Sequence, residues 1–443
     1  MSYVNAKLSH EPAFEDLRKL SILTCQSNRV MLPKMKLWHK YALGIAMGAI
    51  LYISLPPSMI HGTPTISFLA ELALKIGGYA LILTLIAGIP ISVFRLSEAH
   101  RFAKIFSQSL ILSVASLIVA AGIGIAIVLI FKPVPLPLVY QSGTVQTLDP
   151  LDLVRAIFPT SIFEVFLVSS KWFLPIGLFA LFFGLALSHD PVMSRPILPV
   201  LDVISRASYL INSFISEILG ILLIPISVYL FLNLRNTGIP SEYRSVLLFV
   251  LALTVFSIFV LFPLIYRILG GKSNPYILLY AMSGPLLAAA ASGSIFLSSA
   301  TALRHVSESL GIKRDTNAVV FPLVLVSGRV GSVIIVACSF IAMFLSYSRN
   351  NPTVGQIILL LALLPLSVIV GASALRSDII VMLSLACLLF GQGFQNGASL
   401  LVPIALPLSI CATILDTAWL IFSLSLIAEL NGQRSVKKAR NFI

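Results

Sequence analysis

Long apolar runs separated by short polar gaps make up most of this chain. Eight of these runs are bounded by Pro, Gly and clusters of charged residues, and they lie near residues 41–55, 66–95, 107–131, 154–188, 197–233, 243–270, 316–346 and 399–430. A helix that spans a bilayer needs about 20 mostly apolar residues. The pattern therefore predicts an all-α integral membrane protein with eight transmembrane helices.

Two further apolar stretches are interrupted. Residues 281–303 are rich in Ser, Gly and Thr, and residues 353–392 are broken near the middle by the polar string 371–378. Interrupted backbone is tolerated at membrane depth only where protein or a water-filled cavity surrounds it. The two stretches therefore fit a pair of re-entrant helical hairpins whose tips meet near the midplane, as in a transporter binding site. Ordinary spans with small residues for tight helix packing are the alternative.

The composition excludes a soluble globular domain, because 58% of the 443 residues are hydrophobic and only 11% are charged. The net charge of +13 includes basic clusters before the first apolar run and after the last one. By the positive-inside tendency both termini face the cytoplasm, which requires an even number of crossings. No basic stripe with interleaved aromatic residues is present, so no nucleic-acid partner is expected.

The polar segments complete the predicted topology. Residues 1–36 carry no continuous apolar stretch, so a cleaved signal peptide is not expected and this segment is interpreted as a cytoplasmic tail. The Pro-rich loop 132–153 falls on the outside by the parity of the spans, and 433–443 is a second, basic cytoplasmic tail. The expected location is the inner (plasma) membrane.

Several short strings occur in the order and spacing of one transporter family. They are Trp172–Leu187, Asn274-Pro275, Ala288–Ser294, Ser298–Thr301, Leu310–Ile312, Pro322, Gly331-Ser332, Thr353–Gln356 and Ile414–Asp416. From about residue 37 to residue 432 the chain resembles the dicarboxylate/amino-acid:cation symporter family, which has the glutamate-transporter fold. The resemblance implies eight transmembrane helices with two re-entrant hairpins.

The resemblance also implies that different segments of the chain belong to two domains, a scaffold and a transport domain. Spans 1–2 (37–98) and spans 4–5 (154–235) correspond to the scaffold of a homotrimer. Span 3 (99–131) and the region 236–432, with span 6, hairpin 1, span 7, hairpin 2 and span 8, correspond to a transport domain. In the family this domain slides with its cargo in the manner of an elevator.

The departures from the family concern its charged groups. Where the family has the motif NMDGT, this chain has Gly328–Ser332 with the sequence GRVGS, so the Asn and Asp that help to bind sodium are absent. In an ungapped alignment on Asp416, Ala412 and Ile427 stand where the family has carboxylates. Hard cations such as sodium prefer several oxygen ligands, with carboxylates prominent among them. The coupling cation therefore stays open between sodium and a proton, and the residues of any metal site stay unknown.

Arg329 lies inside an apolar span, where a lone guanidinium is costly and normally has a partner. Asp416 is the only carboxylate in the core of the last span and is the predicted partner. One hypothesis is that Arg329 supplies permanently the charge that a bound cation supplies in the family. The alternative is a buried ion pair that only locks two helices.

The predicted substrate site combines groups from both hairpins and from spans 7 and 8. Its members are Ser292, Ser294, Ser298, Ser299, Arg329, Ser332, Ala372, Ser373, Arg376, Asp416, Trp419 and Ser423. The hydroxyls of hairpin 1, with free N–H groups at half-helix starts, offer a cradle for a carboxylate, although small residues in a packed hairpin are the simpler interpretation of any single serine. By resemblance, Asp416 contacts a substrate amino group.

Two members of this set have open roles. Arg376, at the tip of hairpin 2, either binds a substrate carboxylate bidentately or stays solvated. Trp419 stands at the position of the family's substrate-carboxylate Arg, and Ser423 at that of an Asn. Trp419 either favours a neutral, aromatic-compatible substrate or packs in the core. Outside this set, His305 is expected to be solvated near a helix end, and Glu429 is expected at the membrane interface.

The sequence is interpreted as that of a symporter for amino acids or dicarboxylates, with a small-molecule substrate, lipid contacts and no cofactor. The alternatives are a proton-coupled carrier or exchanger of neutral amino acids, and a non-transporting sensor or anion channel on the same fold. An enzyme is disfavoured because the chain contains neither HExxH nor a GxSxG elbow, and no Asp or His pair lies within the spans.

Overall fold

Apolar sequence folds as helix throughout the part of the chain that the computed structural model describes, which comprises residues 35–55, 64–132, 135–136, 161, 165, 174–348, 350–372 and 378–443. Within these ranges the regular elements are helical, and the β-contact is an isolated bridge between Ile312 and Arg434. A helix satisfies its own backbone groups, which is what an apolar environment requires. The predicted all-α class is confirmed for the described residues.

The helices are numbered here in chain order. They are α1 (Leu37–Ser54), α2 (Pro64–Glu98), α3 (Phe102–Phe131), α4 (Leu174–His189), α5 (Pro191–Ser194), α6 (Ile197–Thr237), α7 (Arg244–Phe256), α8 (Phe262–Ile268), α9 (Pro275–Ala281), α10 (Ser283–Ser292), α11 (Ile295–Glu308), α12 (Arg314–Ser327), α13 (Val330–Ser348), α14 (Val354–Ala372), α15 (Ile379–Phe390) and α16 (Ala405–Leu430). A π-turn over Ser257–Leu261 joins α7 to α8, and a 3₁₀ stretch over Gly397–Ile404 leads into α16.

Six helical stretches of the described residues are long and apolar enough to cross a membrane. They are Phe102–Phe131, Ile197–Asn236, Ser241–Ile268, Arg314–Ser348, Val354–Ala372 and Gly397–Leu430. The predicted runs 41–55 and 66–95 are also helical, as α1 and α2. Much of the predicted run 154–188 lies outside the described residues. The architecture is therefore polytopic, with about six apolar spans.

The first interrupted stretch is a chain of short helices. α9 and α10 meet at a bend of 62°, and α10 ends at Gly293, whose φ of +59° is the left-handed conformation that glycine adopts without strain. After Ser294 the chain begins α11, which packs against α10. This arrangement agrees with the broken, small-residue character of residues 281–303.

The second interrupted stretch also consists of two helices that pack together. α14 ends at Ala372 and α15 begins at Ile379, on either side of residues 373–377, which lie outside the described part. The helices approach closely at Gly371, where an added Cβ would lie 2.8 Å from Cγ of Met382. Small residues permit such close approach in membrane proteins.

The stretch Arg314–Ser348 is the most enclosed of the six, because 89% of its most apolar window is buried. α13 packs against α3, α14, α15 and α16. Phe340, within this stretch, is among the largest side chains that are almost fully buried. A break in this enclosed span therefore lies inside protein, which satisfies the condition for interrupted backbone at membrane depth.

Candidate substrate site

The break between α12 and α13 falls at Gly328 and Arg329. The N–H of Gly328 still donates to the carbonyl of Val324 at 2.8 Å, and the Gly328 carbonyl accepts from Val330 at 2.9 Å. An added Cβ at Gly328 would lie 2.7 Å from the Val324 carbonyl oxygen, so only glycine fits here without a shift. The break places the Arg329 side chain inside the protein, where 3% of the residue is exposed.

The guanidinium of Arg329 connects three elements. Its Nη2 donates to the carbonyl oxygen of Ala372 at 3.2 Å, and its Nε lies 3.4 Å from the carbonyl oxygen of Leu325. Its central carbon lies 5.5 Å from the ring centre of Phe296, within the range of a cation–π contact. Ala372 is the last residue of α14, and carbonyls at a helix C-terminus carry partial negative charge. The arginine therefore neutralises the end of α14 beside the start of α11.

Asp416 is held by α13 through Ser332. One carboxylate oxygen accepts from the Ser332 N–H at 2.9 Å, and the other accepts from the Ser332 hydroxyl at 2.5 Å. The helices come this close because of Gly331, where an added Cβ would lie 2.2 Å from Cβ of Leu415. Asp416 is 2% exposed, and both of these donors are neutral.

The predicted partnership of Arg329 and Asp416 is an electrostatic interaction at longer range and not a direct contact. No ion pair within 4.0 Å joins the two side chains, both of which lie in the described part of the chain. Arg329 extends toward α14, whereas Asp416 faces the first turn of α13. The two opposite charges are thus buried near one another but are satisfied by different partners.

The serines of the first interrupted stretch bond mainly to nearby backbone. Ser298 and Ser299 are completely buried, and their hydroxyls donate to the carbonyls of Ile295 and Phe296 at 2.9 Å. The Ser298 hydroxyl is also 3.0 Å from that of Thr417, which links α11 to α16.

The turn between α10 and α11 is closed by Ser292. Its hydroxyl donates to the carbonyl of Ala288 at 2.7 Å and accepts from the N–H of Ser294 at 3.1 Å. Of this serine group, Ser292 and Ser294 remain partly exposed. They are the members best placed to meet a solute.

Trp419 and Ser423 follow Asp416 along α16. The ring of Trp419 lies 5.4 Å from that of Phe262, and its indole N–H is buried with no acceptor in the described part of the chain. Ser423 donates to the carbonyls of Trp419 and Leu420 at 2.9 and 3.0 Å, so its hydroxyl stabilises its own helix. Trp419 therefore combines core packing with one unsatisfied donor.

In a comparison with models of known families, residues 37–418 match the sodium:dicarboxylate symporter family. The chain belongs to this family. No curated protein sequence matches it significantly. Membership agrees with the polytopic helical architecture and indicates a transporter rather than an enzyme. The resemblance expected from the sequence is confirmed.

The matched range of the symporter family contains Arg329, Ser332 and Asp416, but it ends at Ala418. The comparison of Trp419 and Ser423 with family positions therefore depends on the ungapped local alignment alone. Ser373 and Arg376 lie outside the described residues. Among the described residues, no group of three or more His, Cys, Asp or Glu side chains is arranged to hold a metal ion.

Two contact residues were missed by the sequence reasoning. Phe296 faces the guanidinium of Arg329, and Thr417 contacts Ser298. Both are ordinary residues in helical, apolar surroundings, so no local pattern distinguishes them. For Thr417, its position next to Asp416 in the sequence is the one feature that could have suggested a place near the site.

Proposed function

We propose that this family member is a secondary transporter that carries a small organic solute, an amino acid or a dicarboxylate, across the inner membrane. Arg329 acts in it as a built-in cation. The observation that carries the proposal is the hydrogen bond from Arg329 to the Ala372 carbonyl at the end of α14. A mobile cation would be attracted to the same partial negative charge. A guanidinium fixed there makes sodium unnecessary at this position.

The substrate site of the proposal lies around these contacts. Ser292 and Ser294 present partly exposed hydroxyl groups at the α10–α11 turn. Arg376, which lies outside the described residues, is included on the sequence prediction alone. Asp416 would attract a substrate amino group once the Ser332 hydroxyl turns away. An amino acid offers the matching pair of charges, so it is the preferred substrate class.

The proposed architecture follows the family resemblance. It has eight crossings, two re-entrant hairpins formed by α10–α11 and α14–α15, and both termini in the cytoplasm. α1, α2, α4 and α6 belong to a trimeric scaffold. α3 and the helices from α7 to α16 belong to a transport domain that moves as an elevator.

Uptake into proteoliposomes tests the role of Arg329. Labelled amino acids and dicarboxylates are offered with and without an inward sodium gradient, and the wild-type protein is expected to ignore sodium. Arg329→Met is expected to lower the uptake rate about 10- to 100-fold, because a hydrogen bond to a charged group contributes about 1.5–3 kcal/mol. Arg101→Met, which changes an exposed arginine before α3, is the control and should leave uptake unchanged.

Three results would contradict this proposal. Sodium-driven uptake by the wild-type protein would mean that cation sites exist elsewhere. Unchanged uptake and ion dependence in a folded Arg329→Met variant would remove Arg329 from the mechanism. No uptake of any compound would favour a sensor or an anion channel.

Proton coupling through Asp416 is a second candidate, because this buried carboxylate accepts from the neutral Ser332 groups instead of forming an ion pair. A buried carboxylate charge is costly when no direct ion pair compensates it, so protonation is accessible to Asp416. An inward proton gradient should then accelerate uptake in the same vesicles. Asp416→Asn, which mimics the protonated form, should abolish this acceleration.

A further inference from the structure

The last eleven residues form a strap, Gln433–Ile443, that is attached at both ends. At its start the Gln433 carbonyl accepts from the Lys313 N–H at 3.0 Å, and the Ser435 N–H donates to Gly311 at 2.9 Å. At its end the Ile443 N–H donates to the Ser309 hydroxyl at 3.3 Å. The strap therefore follows the connection between α11 and α12.

The middle of the strap is exposed. Residues 436–440 read VKKAR and are all exposed, although Phe442 behind them is buried. Val436 is 84% exposed, the highest value among the large hydrophobic residues described. Two lysines follow it directly, and the segment comes six residues after the end of the membrane-spanning helix α16.

The acidic side chains closest to the strap are already occupied. Glu429 pairs with Arg434 and also accepts from Tyr266 and Ser273. Glu308 pairs with Arg304 at 3.1 Å, and Lys437 donates to the backbone carbonyl of Glu308 at 2.6 Å. Among the described residues, neither Lys438 nor Arg440 forms an ion pair.

Neighbouring loops enlarge this positive surface. Lys313 is exposed beside the start of the strap, and Lys272 is exposed where its N–H donates to Glu429 at 2.9 Å. The basic face of the strap thus consists of Lys272, Lys313, Lys437, Lys438 and Arg440. An exposed aliphatic side chain among cations next to a spanning helix suits a bilayer interface, where phosphates meet acyl chains.

We propose that the basic face of the strap binds the headgroups of anionic phospholipids in the adjacent leaflet, with Val436 inserted between them. Because both ends of the strap are hydrogen-bonded to the α11–α12 connection, headgroup binding ties that connection to the membrane surface. The proposal does not depend on which solute is carried.

An environment-sensitive fluorophore at the apex of the strap tests the proposal. The full-length protein carries Cys25→Ser and Val436→Cys, and the fluorophore labels Cys at 436 because Cys338, Cys387 and Cys411 are buried. The labelled protein is placed in nanodiscs of phosphatidylcholine alone or with added phosphatidylglycerol. Phosphatidylglycerol is expected to shift the emission to the blue. Salt at about 1 M, where the Debye length is about 3 Å, should reverse the shift.

Two double variants distinguish lipid binding by the strap from a general effect of the positive charge of the protein. Lys438→Ser with Arg440→Ser should raise the phosphatidylglycerol fraction needed for half of the shift by at least about tenfold, or abolish the shift within the accessible range. Arg101→Ser with Lys104→Ser removes two exposed basic side chains near the start of α3 and should leave the shift unchanged.

The outcomes are decisive in either direction. The same emission in both kinds of nanodisc would overturn the proposal, and so would an equal loss in the two double variants. A blue shift caused by inorganic phosphate in phosphatidylcholine nanodiscs would assign the face to a free anion instead of a lipid. Since no transport is measured, failure here is distinct from failure of the proposed transport function.

Discussion

At the scale of single residues, the site buries two opposite charges without an ion pair between them. Arg329 neutralises the end of α14 and Asp416 accepts from Ser332. Burying a charge is unfavourable unless hydrogen bonds replace its hydration. The backbone break at Gly328 and the close approach at Gly331 supply these bonds. The chain therefore needs glycine on both sides of the arginine.

Ser332→Ala tests how much the Asp416 carboxylate depends on its neighbour. The substitution removes the hydroxyl donor but keeps the backbone N–H, so the free energy of unfolding should fall by about 1–3 kcal/mol. Ser327→Ala, which removes a hydroxyl that bonds only its own helix at Leu323, should change stability far less. Denaturation of the purified proteins in detergent measures both. Equal effects would contradict a special role for the Ser332–Asp416 contact.

At the scale of elements, polar contacts cross the seam between α2 and α6 on one side and α11 and α12 on the other. Arg95 of α2 lies 3.2 Å from Asp315 of α12, across the seam, and 3.1 Å from Asp202 of α6 on its own side. Asn212 of α6 donates to the carbonyl of Ala300 in α11 at 2.8 Å. Exposed ion pairs stabilise little, so the Arg95 contact adds little resistance to separation of this seam.

A disulfide across the seam tests the proposed elevator movement. An added Cβ at Gly88 in α2 would lie 3.8 Å from Cβ of Ala318 in α12, a separation typical of disulfides. Gly88→Cys with Ala318→Cys should crosslink under oxidation and stop uptake, and reduction should restore it. Each single cysteine variant serves as a control. Full uptake by the crosslinked protein would contradict movement at this seam.

At the scale of the whole molecule, the described helices enclose α13 and α16, whereas α3 and α14 have outer faces rich in exposed apolar residues. Apolar side chains that face outward are expected for a protein surrounded by lipid. Contacts with lipid and with other copies of the chain are both compatible with such surfaces.

The proposed homotrimer has a direct mass test. Native mass spectrometry of the protein released from nanodiscs should give about three times the chain mass of 47.9 kDa. Dilution before release is the control, because a specific trimer keeps its mass whereas random co-occupancy of a disc does not. A chain mass of 47.9 kDa under all conditions would argue against the trimer.

Much of the helical layout could be predicted from the sequence. The runs near 107–131, 197–233 and 316–346 correspond to α3, α6 and α12–α13, because a long apolar segment has few alternatives to a helix in a membrane. The interruption of residues 281–303 also follows from local chemistry. Gly293 with its neighbouring serines ends one helix and begins the next.

The environment of individual polar residues could not be predicted in the same way. His305 was expected to be solvated, yet it is 1% exposed and its Nδ1 lies 3.0 Å from the Thr301 carbonyl. The interfacial position of Glu429 stays a prediction, but its hydrogen bonds from Tyr266 and from the Lys272 N–H were not foreseen. The contact of His305 is within its own helix, so its burial comes from the packing of that helix. The donors to Glu429 lie in and after α8, and no local pattern reveals that packing.

The sequence by itself therefore determined that the chain is a helical membrane protein of a symporter family, and that a buried arginine and a buried aspartate lie near its interrupted helices. Apolar runs and helix-breaking residues determine structure locally, so the helices and their interruptions can be predicted from the sequence. Only the tertiary structure decided that Arg329 faces Ala372 and Phe296 while Asp416 faces Ser332. Those partners depend on how helices distant in sequence pack, and side-chain hydrogen bonds change with shifts of about 1 Å.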